Sequence, residues 1–123
     1  MTNFTLVRPE HLNHHGYLFG GVLLKWIDEN AWMAASRDYP GCSLVTVAMD
    51  EIRFKHQVEN GAILRFDIRR KRQGRTSVTY EVEVFADEPG ATAEKDVFST
   101  CVTFVRLDDQ RRPTPLPKRQ QKE

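Results

Sequence analysis

The chain has 123 residues, 40% of them hydrophobic and 28% charged, with 18 Lys and Arg against 17 Asp and Glu for a net charge of +1. That is the length of one domain with one real core, and so even a charge balance exerts no overall pull toward nucleic acid or an anionic membrane. No apolar run approaches the roughly 18 residues of a membrane span, and the opening MTNFTLVRPE lacks a basic stretch followed by an apolar one, so a cytosolic protein without a signal peptide is expected.

Residues 4–8 alternate weakly and predict a short strand ended by Pro9, followed by the polar loop HLNHHGY. A helix is predicted over 22–37, stopped by Pro40 and Gly41. Its apolar positions (Val22, Leu23, Leu24, Trp26, Ile27 and then 31–35) make more than one stripe. A helix apolar most of the way round is buried on most sides. Residues 44–54 read as a strand whose apolar parity shifts between Met49 and Ile52, the mark of a bulge. Leu64, Phe66 and Ile68 alternate with charged residues, and Val78, Tyr80, Val82 and Val84 with Thr79, Glu81 and Glu83, which predicts antiparallel strands with one wet face. The segment RKRQGR between them reads as a hairpin tip with Gly74 in the turn. Residues 97–107 are apolar on both parities, as a central strand is. The proline-rich end is expected to lie on the surface and fray after Pro117, giving one domain over 1–117 and a disordered tail over 118–123. No internal repeat is visible.

One long helix and a separate set of strands make an α+β fold. A single sheet covers only one side of such a helix, so a second subunit is the natural cover for the other. Cys42 and Cys101 are too far apart in sequence to suggest a disulfide framework and suit a reducing compartment.

Four groups of residues could carry chemistry. Asp28 lies mid-helix, with Leu24, Lys25, Ala31 and Trp32 as its neighbours at three and four residues. An ionised carboxylate on that largely apolar face is costly unless it is paired or put to use. It is either a general base or a structural Asp paired with Lys25 or Arg37. Gly20 and Gly21 open the helix. Their unpaired N–H groups at the positive end of the helix dipole can stabilise a carbonyl oxygen that gains charge, or they simply make a tight turn. Eight residues separate Gly20 from Asp28, about 12 Å of helix, so the two serve one carbonyl only if they come from different chains. His11, Asn13, His14 and His15 form a polar cluster. A metal site would need more converging ligands than are visible there, whereas the Asn13 amide can both orient a water and donate to an oxyanion. Arg69, Arg70, Lys71, Arg72 and Arg75 make a basic tip: a solvated hairpin, an RNA contact or a polyphosphate site. No aromatic residue interleaves it, as single-strand binders require.

The segment 13–29, NHHGYLFGGVLLKWIDE, resembles the signature of the hotdog-fold acyl-CoA thioesterases, in their cytosolic acyl-CoA hydrolase branch. Asn13, Gly16, Gly20, Gly21 and Asp28 carry the match. VTVAMDEIRF (45–54), the turn at Gly61, GRTSV (74–78) and RRPTPLP (111–117) support it along nearly the whole chain. The resemblance implies an antiparallel sheet wrapped around one central helix, paired edge to edge with a second copy as a homodimer and often assembled further into a hexamer. It implies Asp28 as general base or nucleophile, Asn13 from the other subunit, and an oxyanion hole of N–H groups at Gly20 and Gly21. It further implies CoA contacts at Arg75, Thr76 and Ser77, with Arg53, Lys55 and His56 as weaker candidates. Animal relatives often carry tandem units or an added lipid-binding domain; a single unit must draw each site from two copies.

The expected function is hydrolysis of acyl-CoA to fatty acid and CoA, in fatty acid metabolism. No cofactor, metal, nucleic acid or membrane is expected to take part. The sequence contains no Gly-x-Ser-x-Gly elbow, and a thioester is electrophilic enough for a carboxylate and an oriented carbonyl to suffice. The alternatives are a non-catalytic acyl-CoA binder or sensor, and a hydratase-type enzyme, for which the required His–Asp motif is missing. Trp26, Trp32, Phe54 and Tyr80 are candidates to line an acyl tunnel.

Overall fold

The computed structural model describes residues 1–118. The elements run β1 (Thr2–Leu6), a 3-10 turn (Pro9–His11), α1 (Gly20–Asp38), β2 (Ser43–Phe54), β3 (Ile63–Gln73), β4 (Ser77–Asp87) and β5 (Lys95–Leu107). The strands form one antiparallel sheet in the order β1-β3-β4-β5-β2. The α+β expectation holds, and α1 packs on one face of this sheet against β2 to β5.

That face is built by the alternation seen in the sequence. Leu64, Phe66 and Ile68 of β3, Val78, Tyr80, Val82 and Val84 of β4, and Phe98, Val102 and Phe104 of β5 are buried. The helix answers with Leu23, Ile27, Ala31, Ala34 and Ala35. Its three alanines let the sheet approach closely, and each buried Leu, Ile or Phe contributes about 1.5–3 kcal/mol. Strand β5 is interior, as its two apolar parities predicted, although β4 holds the centre. The register of β2 against β5 shifts between Asp50 and Arg53, where the parity change pointed, and again between Thr46 and Ala48. At the first of these bulges Glu51 takes a left-handed φ of 57°.

Several expectations need correction. The helix begins at Gly20 rather than residue 22, because the Phe19 carbonyl already accepts the N–H groups of Val22 and Leu23. Glycine's poor helix propensity counts for little in a first turn that has no preceding carbonyls to bond. Within one chain the sheet covers one side of the helix, as expected, and leaves Trp32 and Met33 46% and 42% exposed on the side assigned to a second subunit. The first strand is Thr2–Leu6 rather than residues 4–8, and its exposed face is the apolar one. Val7 points inward and is buried, so the same parity turns Asn3 inward to Asn30 and leaves Phe4 and Leu6 exposed. The segment read as a hairpin tip is mostly strand. Arg69, Arg70, Lys71 and Arg72 belong to β3, on a sheet whose outer face tolerates charge because Glu81 and Glu83 of β4 stand opposite. Gly74 is in the turn, as expected, and its N–H donates to the Ser77 carbonyl at 2.8 Å without a left-handed φ. A Cβ there would lie 2.9 Å from Ser77 Oγ, so a larger residue would make that hydroxyl rotate away.

The C-terminal segment follows the sheet as far as its hydrogen bonds go: Leu116 N–H donates to the Arg75 carbonyl and the Gln73 amide to the Pro117 carbonyl. The tail expected over 118–123 lies, from 119 onward, outside the described residues. Cys42 and Cys101 are both free thiols.

Candidate active site

Helix α1 lies antiparallel along the inner side of the edge strand β2, and the seam between them carries the candidate residues. At one end helix and strand approach closely: an added Cβ on Gly20 would sit 3.3 Å from the Phe54 ring and press on it. Towards the other end, Thr46 Oγ1 donates to Asp28 Oδ1 at 2.7 Å, and one helical turn later Trp32 Nε1 donates to the Leu44 carbonyl at 3.1 Å. The steps match: four helical residues rise about 6 Å and two strand residues about 6.6 Å.

Asp28 is half-buried. It makes no ion pair with Lys25 or Arg37, so the structural pairing is not what holds it. Thr46 orients one carboxylate oxygen, and Oδ2 takes no hydrogen bond among the described residues. The carboxylate opens on a groove of about 420 Å³ shared with Glu29, Asn30, Trp32, Met33 and Thr46. Thr46 went unnoticed in the sequence. The available signal was a hydroxyl inside the apolar run LVTVAM at the parity of the buried Leu44.

Gly20 and Gly21 sit at the uncapped start of α1, where Phe19 offers no side-chain cap. Neither N–H has an acceptor among the described residues, so two donors face outward at the positive end of the helix dipole. Asn13 and Gly20 line a second groove of about 330 Å³ with Phe54, Lys55 and His56. The Asn13 carbonyl oxygen is already engaged, accepting the N–H groups of His15 at 2.9 Å and Tyr17 at 3.2 Å. The expectation that this amide could both accept and donate is therefore halved: only its NH₂ is left to act. Within one chain, Asn13, Gly20 and Gly21 stand at one end of the seam and Asp28 at the other, in separate grooves.

The other candidates separate in the same way. Arg75 is exposed in the short turn between β3 and β4, with Thr76 and Ser77 half-buried beside it. Ser77 pairs with Val105, which pairs with Val45, so this turn is at the Asp28 end of the sheet. Arg53, Lys55 and His56 are at the Gly20 end. Lys55 is paired with Asp96 at 2.8 Å, and Arg53 is exposed on a shallow cleft with Arg69 and Glu81. The basic run on β3 is largely spoken for: Arg69 binds Glu81 and Glu83, Arg70 Nη1 donates to Gln73, and Lys71 Nζ approaches Cys101 Sγ at 3.6 Å. The Glu81 carboxylate raises the Arg69 pKa further above its ordinary value. His11 meets Trp26 edge-on at 4.7 Å and accepts the Arg8 N–H on Nδ1, while the His14 and His15 rings lie 3.9 Å apart, tilted by 42°. Among the described residues no three His, Cys, Asp or Glu side chains converge as a metal site, and no helix is long and apolar enough to cross a membrane. Of the tunnel candidates, Tyr80 is a core residue 1% exposed whose hydroxyl donates to Asp38 at 2.6 Å. Trp32 and Phe54 lie on the seam.

The sequence pattern of the thioesterase superfamily matches residues 15–93. The chain belongs to the thioesterase superfamily. This member is 35% identical over 100 residues to acyl-coenzyme A thioesterase 11 of Mus musculus, covering 81% of this chain and 17% of that protein. It is 30% identical over 115 residues to the cytosolic acyl coenzyme A thioester hydrolase of Rattus norvegicus, covering 92% of this chain and 30% of that one. The chain thus spans less than a third of either mammalian relative. Among solved structures it is similar to the hexameric hotdog-fold thioesterase of Campylobacter jejuni, with a TM-score of 0.83, 32% identity, and coverage of 94% of this chain and 88% of that one. The resemblance read from segment 13–29 is thereby established at the level of family and fold.

Proposed function

We propose that the protein hydrolyses acyl-CoA to a carboxylic acid and CoA, in a site shared between two copies. The observation that carries this reading is the seam. A carboxylate oriented by Thr46 faces an apolar-walled groove at one end, and two free N–H groups with an Asn amide stand at the other. Strand β2 is a 12-residue edge with apolar Val47, Ile52 and Phe54 exposed, and a long bare edge is a template for another strand. An antiparallel copy paired about the strand's midpoint, roughly 4.8 Å away, sets the Thr46 end of one chain beside the Phe54 end of the other. Asp28 then meets Gly20, Gly21 and Asn13 of the second copy. The hexamer described for the Campylobacter relative supports self-association of this kind.

In this site the Gly20 and Gly21 N–H groups bind the thioester carbonyl oxygen, and the Asn13 NH₂ donates to the same oxygen or to the water. Asp28 either takes a proton from the attacking water, or attacks the carbonyl itself to form a mixed anhydride that water then hydrolyses to the free acid and the restored carboxylate. The tetrahedral oxyanion is stabilised by donors already in place, and the thiolate of CoA leaves. The same pairing brings Arg75, Thr76 and Ser77 of one chain near Arg53 of the other, on a path for the CoA phosphates. No metal is needed for these steps, and the setting we assign is cytosolic, as in the rat relative's name.

The test is complementation. Asn13→Asp keeps the oxygen that holds its own loop and replaces the NH₂ donor by a second, negatively charged oxygen that can only accept; Asp28→Ala removes the carboxylate. Each alone is expected to release free thiol from acyl-CoA far more slowly, by ~10²–10⁴ for the carboxylate. Refolded together in equal amounts, half the dimers are mixed and hold one intact site of two, so about a quarter of the wild-type rate returns. No recovery in a sample shown to contain mixed dimers refutes the shared site.

A further inference from the structure

The groove at Asp28 is one-sided. Its polar lining comes from Asp28, Glu29, Asn30 and Thr46, and its apolar lining from Trp32 and Met33. Both apolar residues lie on the C-terminal side of Asp28 along the helix. A hydrocarbon chain attached to a carbonyl at Asp28 therefore finds apolar surface in that direction only.

Trp32 is also held. It follows Asp28 by four residues, so it stands on the same helix face about 6 Å further on. Its Nε1 donates to the Leu44 carbonyl at 3.1 Å, which ties the indole across the seam to β2. An indole anchored at its polar atom, with 46% of its surface open, is a wall rather than a flexible flap. Met33 beside it has no such anchor and is the adaptable part of the lining.

We propose that Trp32 closes the acyl pocket and makes the enzyme selective for short acyl chains. This rests on Asp28 being the reacting carboxylate. About 6 Å is spanned by roughly four or five carbon–carbon bonds, so acyl groups of about four to six carbons fit before the indole is met. Longer chains must turn out of the groove: the methylenes beyond the indole stay in water and forgo the roughly fourfold gain in kcat/KM that each would have from burial, and the bend draws the carbonyl away from its reacting position.

The experiment measures kcat/KM on saturated acyl-CoA esters from two to sixteen carbons for the wild type, Trp32→Ala and Trp32→Phe, with size-exclusion chromatography of each. The wild type is expected to peak at four to six carbons. Trp32→Ala is expected to move the optimum to longer chains and to raise the ten-carbon to four-carbon ratio at least about tenfold, with its oligomeric state unchanged. Trp32→Phe, which keeps a ring but loses the N–H anchor, is expected to fall between the two and covers the case in which the alanine variant does not fold. A wild-type profile that is flat or peaks at long chains overturns the proposal. So does a Trp32→Ala variant that loses activity on every chain by one common factor or falls apart into single chains, because Trp32 would then be a structural or subunit contact. Asp28→Asn is assayed alongside. If it keeps full activity, the reading of the site itself has failed. If it is inactive while the chain-length profile ignores position 32, only the inference about Trp32 has.

Discussion

Replacing Thr46 with Val isolates the bond that aims the candidate carboxylate. Valine keeps the size and β-branching of threonine, so β2 loses neither strand preference nor its pairing with β5. What disappears is the hydroxyl that donates to Asp28 Oδ1 at 2.7 Å. A hydrogen bond to a charged group is worth about 1.5–3 kcal/mol. Thr46 is exposed in the single chain, where water replaces part of that, so the lower end applies, about 1–1.5 kcal/mol. If the bond serves to hold the carboxylate in its reacting orientation, kcat falls by about five- to twelvefold. KM stays within about twofold, because Thr46 reaches the reacting atoms only through Asp28. Thr46→Ser restores the hydroxyl and is expected to return most of the rate. Steady-state release of free thiol from a short acyl-CoA gives both constants, and thermal melting shows whether the fold is intact. A Thr46→Val enzyme with kcat within twofold of wild type, or a Thr46→Ser enzyme as slow as Thr46→Val, refutes the reasoning.

Two further predictions concern stability. The Glu88 side chain is 9% exposed; burial pushes its pKa up, but the Lys95 ammonium and the Glu59 N–H outweigh that and hold it below the ordinary carboxylate value. A carboxyl depressed in the folded state stabilises above its unfolded pKa and ceases to as pH falls through its folded value. Glu88→Gln is therefore expected to melt about 3–8 °C lower than wild type at pH 7, for a loss of about 1–2 kcal/mol, and the gap should narrow toward pH 3; a gap that widens in acid contradicts the assignment. Phe66 is fully buried beneath α1, and Phe66→Ala is expected to cost about 3–5 kcal/mol in urea unfolding. A loss under about 1 kcal/mol would mean that the β3 face is not part of the core.

Periodicity made the strands legible. Leu64, Phe66 and Ile68 alternate because one face of β3 is wet and the other dry, and that information is local. The bulge in β2 was readable for the same reason, from the parity break between Met49 and Ile52. Asp28 stood out because a carboxylate inside an apolar helix is costly, and Gly20 because glycine opens no helix without cause. The misreadings share one origin. The segment 70–75 read as a hairpin tip around Gly74, yet β3 continues to Gln73, and the neighbouring Arg69 finds Glu81 and Glu83 across the hairpin, more than ten residues away. The weak alternation over residues 4–8 did not say which face is inward, and Val7 set that parity through its contacts with the chain around Ala62.

The amino-acid order alone determined which segments are helix and strand, which residues are too expensive to bury without a use, and which family pattern they spell. Those properties depend on neighbours within one or two turns. Tertiary structure decided the rest. It put β2 at the edge of the sheet, laid α1 antiparallel along it, and thereby joined Asp28 to Thr46 and Trp32 to Leu44. It also left Asn13 and Asp28 at opposite ends of one chain. Strand order and cross-element hydrogen bonds join residues far apart in sequence, and no local pattern carries that information.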